Sequence, residues 1–96
     1  MVSLTNAQIH ALKAQAQRLK ATLKVGKDGL SPHFLAALDD SLKNHELVKV
    51  KFDDFKEQKK ELAPQLAEKS RSHLVTRIGN VVVLYRPKPV EEKKYQ

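Results

Sequence analysis

Two glycines bracket a lysine and an aspartate in Gly26-Lys27-Asp28-Gly29, a spacing suited to holding a phosphate. Glycine lets the backbone come close to a ligand and take left-handed torsions, so that successive N–H groups turn outward toward an anion. Leu30-Ser31-Pro32 follows, with Ser31 suited to cap a helix and Pro32 to its first position, where a missing N–H costs nothing. The loop therefore feeds a helix whose positive dipole end favours negative charge. Lys24 and Lys27 add full charges, whereas Asp28 opposes an anion unless it turns to cap the loop or the helix. Taken alone, a Gly-x-x-Gly spacing is more often a structural turn than a ligand site.

Other chemistry is not legible. His10, His33, His45 and His73 are far apart and lack metal-ligand spacing, and His45-Glu46 lacks the second histidine of a zinc-protease helix. Asp39-Asp40 and Asp53-Asp54 are adjacent carboxylates that point different ways and suit capping better than shared acid–base work. No P-loop or Gly-x-Ser-x-Gly elbow is present, and without cysteine neither disulfides nor thiolate metal sites can form. The expectation is a protein without catalytic residues, metal or cofactor. Of the aromatics, Phe34, Phe52 and Phe55 read as core and Tyr85 fits either core or surface, which argues against a base-stacking platform and for backbone-centred binding.

The charge balance points to a polyanion. Eighteen Lys and Arg against eleven Asp and Glu leave +7 on 96 residues, a length that makes one domain with one modest core. Residues 1–30 carry Lys13, Arg18, Lys20, Lys24 and Lys27 against Asp28, a net +4. Residues 71–96 carry Arg71, Arg77, Arg86, Lys88, Lys93 and Lys94 against Glu91 and Glu92, again +4, while 31–70 sum to −1. A fold that joins the two cationic regions builds one positive face, for which nucleic acid is the commonest partner. An acidic protein docked on the same face, with the chain as an adaptor, is the alternative. No apolar stretch approaches the ~20 residues of a membrane span, and MVSLTNAQIH lacks a signal-peptide pattern, so a cytoplasmic, membrane-free protein is expected; a monomer is expected as well.

The elements that must position these groups follow from local signals. Thr5 and Gln8 fit a capping box that starts a helix with Ile9, Leu12, Ala16 and Leu19 on its apolar face. A short strand over 22–25 runs into the glycine loop, and a second helix buries Phe34, Leu35, Leu38 and Leu42 and ends near Asn44-His45. Residues 46–52 alternate as a half-buried strand, with Val48, Val50 and Phe52 inward and Lys49 and Lys51 toward solvent. A third helix is predicted with its cap at Asp53 or Asp54, a capping box to Glu57, and Phe55, Leu62, Ala63 and Leu66 inward. Pro64 predicts a kink there, or two short helices with a new start near Ala63. Strands over 74–78 and 81–86 flank Gly79-Asn80, both residues tolerating positive φ, and the second strand, buried on both faces, ends at Pro87 and Pro89. The fold class is α/β: a single compact domain in α-β-α-β-α-β-β order, with helices packed on a four-stranded mixed sheet.

Three blocks carry a family resemblance: Leu23-Lys24-Val25-Gly26-Lys27-Asp28-Gly29-Leu30, His45-Glu46-Leu47-Val48-Lys49-Val50-Lys51, and Ile78-Gly79-Asn80-Val81-Val82-Val83-Leu84-Tyr85-Arg86-Pro87. In order and spacing the chain resembles the CRM domain, in its stand-alone bacterial YhbY-like form, over about residues 4 to 88. The resemblance implies a fold similar to the C-terminal domain of translation initiation factor three, and RNA binding through a loop likened to that of KH domains. It also implies association with precursors of the large ribosomal subunit, hence ribosomal RNA as partner. Gly26, Lys27, Asp28 and Gly29 match the family loop, Lys49 and Lys51 its basic strand, and Tyr85 and Arg86 its closing strand. Lys24 would hold phosphate with Lys27, and Lys13, Arg18 and Lys20 would extend the basic face along the first helix. Arg77 and Arg86 join if the closing strands lie beside the loop. Pro64 and the run 56–60 depart from the family pattern. An RNA-binding domain over residues 1–88 with a flexible tail over 89–96 is therefore expected.

Overall fold

The computed structural model describes residues 4–87, so the tail expected over 89–96 lies outside the described residues. Helix α1 (Asn6–Ala16) begins at the capping box, where Thr5 Oγ1 accepts from Gln8 N–H and Gln8 Oε1 accepts from Thr5 N–H. Strand β1 (Leu23–Val25) and strand β2 (Leu47–Phe52) pair in parallel, and helix α2 (Pro32–Asn44) is the crossover that such pairing requires. A 3-10 turn (Lys56–Gln58) and helix α3 (Lys59–Lys69) lead to the hairpin of β3 (His73–Ile78) and β4 (Val81–Tyr85). The sheet order β1-β2-β4-β3 is mixed, with β4 antiparallel to both neighbours.

The sheet separates two cores. On one face Val25, Val48, Val50, Phe52, Val82 and Leu84 pack against Phe34, Leu38 and Leu42 of α2 and Ala63, Leu66 and Ala67 of α3. On the other, Leu12 and Ala16 of α1 pack against Val75 and Val83. β4 is thus central and buried on both sides, as its unbroken apolar run predicts. Val75 joins the α1 side through a bulge between Leu74 and Thr76. In the two-residue hairpin only Gly79 has positive φ, +57°, a type II′-like pattern rather than one with both residues left-handed. No described helix is long and apolar enough to cross a membrane.

Three expectations are corrected, and of the two outcomes expected at Pro64 the split is ruled out. Neither Asp53 nor Asp54 caps α3, which has no side-chain cap; the chain instead turns through Phe55 at φ 57°. Phe55 is not core but 39% exposed. Pro64 neither splits the helix nor starts a new one, because α3 runs through it from Lys59 to Lys69. The carbonyl of Lys60, which Pro64 leaves without an N–H, is on an exposed residue where water can satisfy it. Lys49 does not face solvent: its Nζ donates to the carbonyls of Ala16 (3.1 Å) and Leu19 (2.9 Å), capping the end of α1. A cation so placed complements the helix dipole by about 0.3–1 kcal/mol.

Arg86 is pinned as well. Its Nη2 donates to Asp39 Oδ1 at 2.8 Å and to the Ser70 carbonyl, leaving the side chain 19% exposed. This guanidinium, and then Lys43, hold the Asp39 carboxyl below the usual carboxylate range. A depressed folded pKa contributes stability above the unfolded value that is lost as pH falls through the folded one. Asp39→Asn is therefore expected to flatten the fall of stability below about pH 4, measured by urea unfolding across the acid range.

After α3 the chain leaves through a Schellman arrangement: Ser72 N–H donates to Ala67 O at 2.9 Å and Arg71 N–H to Glu68 O at 3.2 Å. Arg71 sits at φ 55°, where glycine is the usual residue. Relieving the left-handed penalty of ~1–2 kcal/mol, less glycine's extra unfolded-state entropy, predicts that Arg71→Gly raises unfolding free energy by about 0.5–1 kcal/mol. The check is a higher urea midpoint at unchanged slope.

Candidate nucleic-acid interface

The glycine loop is a tight turn closed by Gly29 N–H donating to Gly26 O at 3.0 Å. Val25, just before it, accepts at its carbonyl from both Asp53 N–H (3.0 Å) and Asp54 N–H (3.1 Å), which ties the end of β1 to the end of β2. The left-handed Phe55 then lays its ring against Gly29, where a Cβ would stand 3.3 Å from Phe55 Cε2. Gly29 also has φ +63°, so backbone and neighbour both demand glycine. Gly26 differs: its φ is not left-handed and nothing lies within 4 Å of a Cβ built there. The fold does not require glycine at 26, and the space beside it is open.

Gly26, Lys27 and Asp28 are exposed, and the N–H groups of Lys27 and Asp28 have no acceptor among the described residues. Ser31 caps α2 as expected, its Oγ accepting from Phe34 N–H at 3.1 Å. Between the loop and this helix start lies an open cleft of about 300 Å³ lined by Lys24, Lys27, Ser31 and His33 among others. Two free amides, the Lys27 ammonium and a helix N-terminus on one rim can hold a phosphate through hydrogen bonds and charge together.

The cationic surface continues onto the α1 side of the sheet. Lys24 pairs with Lys51, Lys51 with Val81, and Val81 with Ile78, a row at the loop end of all four strands. Alternation from the buried Val25, Phe52 and Val82 puts these four side chains on the α1 face. Two lysines side by side on neighbouring strands repel each other unless an anion lies between them. Beside them, Lys13 and Gln17 of α1 border a groove of about 140 Å³ floored by Val81, Val83 and Ile78, the last 63% exposed.

The remaining expected residues do not gather there. Arg18 is exposed in the turn after α1, and Lys20 lies by His45 and Leu47 at the far end of β2. Arg77 pairs with Val82 and so stands on the α2–α3 face at the edge of the sheet. Lys49 and Arg86 have their cations engaged within the fold. The expected single positive face is thus divided: Lys13, Lys24 and Lys51 on the α1 side, Arg71, Arg77 and Arg86 on the other. Phe55, which braces the loop, was missed; its signal was a large aromatic directly after Asp53-Asp54, read as part of a helix. Among the described residues no group of three His, Cys, Asp or Glu could hold a metal ion.

The family model of the CRS1 / YhbY (CRM) domain matches residues 4–86. "Probable RNA-binding protein YqeI" of Bacillus subtilis is 36% identical over 84 residues, covering 86% of this chain and 88% of its own. An "RNA-binding protein" of Haemophilus influenzae is 34% identical over 97 residues, covering 100% of this chain and 96% of its own. The solution structure of a hypothetical protein from Staphylococcus aureus superposes with a TM-score of 0.78 at 35% identity, covering 95% of this chain and 96% of that one.

The two loop glycines are expected to respond differently. Gly29→Ala destabilises by about 1–2 kcal/mol through its left-handed φ and the Phe55 contact, whereas Gly26→Ala leaves stability unchanged or slightly raised. Urea unfolding of the two variants beside the wild type measures both.

Proposed function

The chain belongs to the CRS1 / YhbY (CRM) domain family, and from that membership we propose that it is a non-catalytic RNA-binding protein that grips the phosphate backbone at the 26–29 loop. The observation that carries this reading is the pair of unpartnered amides at Lys27 and Asp28, beside a glycine that the fold itself does not require. Gly26 admits the backbone of the ligand, Gly29 shapes the turn, and Lys24 and Lys27 supply charge. Lys51 and Lys13 extend the surface along the α1 side. Contacts of this kind fix position rather than sequence, so specificity comes chiefly from RNA shape. The family resemblance supports ribosomal RNA in a precursor of the large ribosomal subunit as the ligand, with the protein acting in the cytoplasm as a monomer.

With about five phosphates contacted, single-strand affinity should fall with a log–log salt slope of roughly −3.5. Lys27→Glu should weaken binding strongly at low salt, and Gly26→Ala should weaken it without loss of stability. A flat salt response, or unchanged affinity in Lys27→Glu, would overturn the reading. Crosslinking in cells followed by sequencing of the attached RNA tests the ribosomal assignment. A second reading, an adaptor for an acidic protein, draws on the exposed Ile78, which shares a groove with Lys13 and a cross-strand row with Lys51. Pulldown with and without nuclease separates the two, because partners held through RNA disappear on digestion.

A further inference from the structure

A second cationic cleft, of about 670 Å³, lies on the α2–α3 side of the sheet and has no part in the reading above. It follows α2 from Pro32 in the first turn to Lys43 in the last, about 16 Å at the rise of a helix. Lys69, Ser70 and Arg71 at the end of α3, with Arg86 after β4, form the opposite wall. Lys43, Lys69, Arg71 and Arg86 face one carboxylate, Asp39, an excess of three positive charges. The carbonyl end of α3 would repel an anion, but Arg86 lies across it, bonded to the Ser70 carbonyl and to Asp39.

The Schellman ending of α3 explains the left-handed backbone at position 71 but not the choice of arginine there. Arg71 holds a left-handed backbone at φ 55° that glycine would adopt at no steric cost, and its exposed side chain makes no hydrogen bond or ion pair among the described residues. Local strain of this sort is enriched at binding sites. A guanidinium held at a cleft mouth presents a fork that matches two phosphate oxygens, and Lys69 next to it supplies a compact charge. The cleft also adjoins the loop site, because Pro32 on its rim directly follows Ser31, which lines the loop cleft.

We propose that this cleft is a second phosphate site, in which Lys69 and Arg71 hold the backbone of the RNA strand leaving the 26–29 loop, with Arg86 and Lys43, both paired with Asp39, as its fixed positive wall. The strand passes over the first turn of α2 and runs along that helix. This rests on RNA being the ligand and adds the path that the strand takes.

The test uses fluorescence anisotropy with two mixed-sequence single-stranded RNAs, of about four and about sixteen nucleotides, the span of typical single-domain sites. The proteins compared are the wild type, Lys27→Glu, and the double variant Lys69→Gln/Arg71→Gly. The double variant should bind the short RNA as the wild type does. It should bind the long RNA several-fold more weakly, with a salt slope flatter by about 1.4, as expected for two lost phosphate contacts. Its melting temperature should be no lower than that of the wild type, which separates lost contacts from lost folding. Wild-type affinity and slope for the long RNA would overturn the second site and leave the loop reading standing. Equal weakening on both lengths would overturn it too, since both regions would then hold the same few phosphates. Unaltered binding by Lys27→Glu beside a weakened double variant would overturn the loop reading alone, and a wild type that binds neither RNA would overturn both.

Discussion

The N–H groups of Asp53 and Asp54 converge on the carbonyl of Val25, and the position of the glycine loop follows from that pair of bonds. They join the ends of two parallel strands, so that the loop after β1 and the turn after β2 leave the sheet side by side. Phe55 can then reach Gly29, and Ser31 can start α2 at the rim of the same cleft. Phe52 N–H also donates to Asn80 O at 2.7 Å, which draws the β3–β4 hairpin tip to that end. One end of the sheet thereby collects two loops and a hairpin, and α1 on the one face and α2 and α3 on the other cover the rest.

The order of elements was legible because its signals are local. The Thr5–Gln8 box, the Ser31-Pro32 start, the alternation of β2 and the unbroken run of β4 each involve residues within one turn or one strand. The failures concern residues whose partners are remote. Alternation says that Lys49 and Lys51 share a face, but not that the carbonyls closing α1 come down on one and miss the other. Arg86 looked free because its acceptors, Asp39 and Ser70, are 47 and 16 residues away. At Asp54 and Glu57 a local capping pattern competes with a tertiary contact, Phe55 on Gly29, and the contact decides. The loop itself was legible as a spacing. The difference between its two glycines was not, since it depends on what stands next to each.

The cations consequently fall into two kinds that composition cannot tell apart. Lys49 and Arg86 neutralise helix carbonyl ends and a carboxylate, and they hold elements together. Lys24, Lys27, Lys51 and Arg71 have no ion-pair partner among the described residues. The free group is divided between the two faces of the sheet, which gives the domain two sides able to attract negative charge and extends the range over which a polyanion is steered toward it.

The parallel pairing of β1 with β2 also bears on how the domain assembles. Val25 and Phe52 are brought together only after all of α2 has been traversed, and non-local pairing of this kind forms slowly because chain closure precedes any reward. The turn at 26–29 therefore owes its shape to tertiary contacts. A short peptide with the same residues lacks the Phe55 brace and the Val25 tether and would sample many conformations. The recognition element is in this sense a property of the finished globule, not of the segment that carries it.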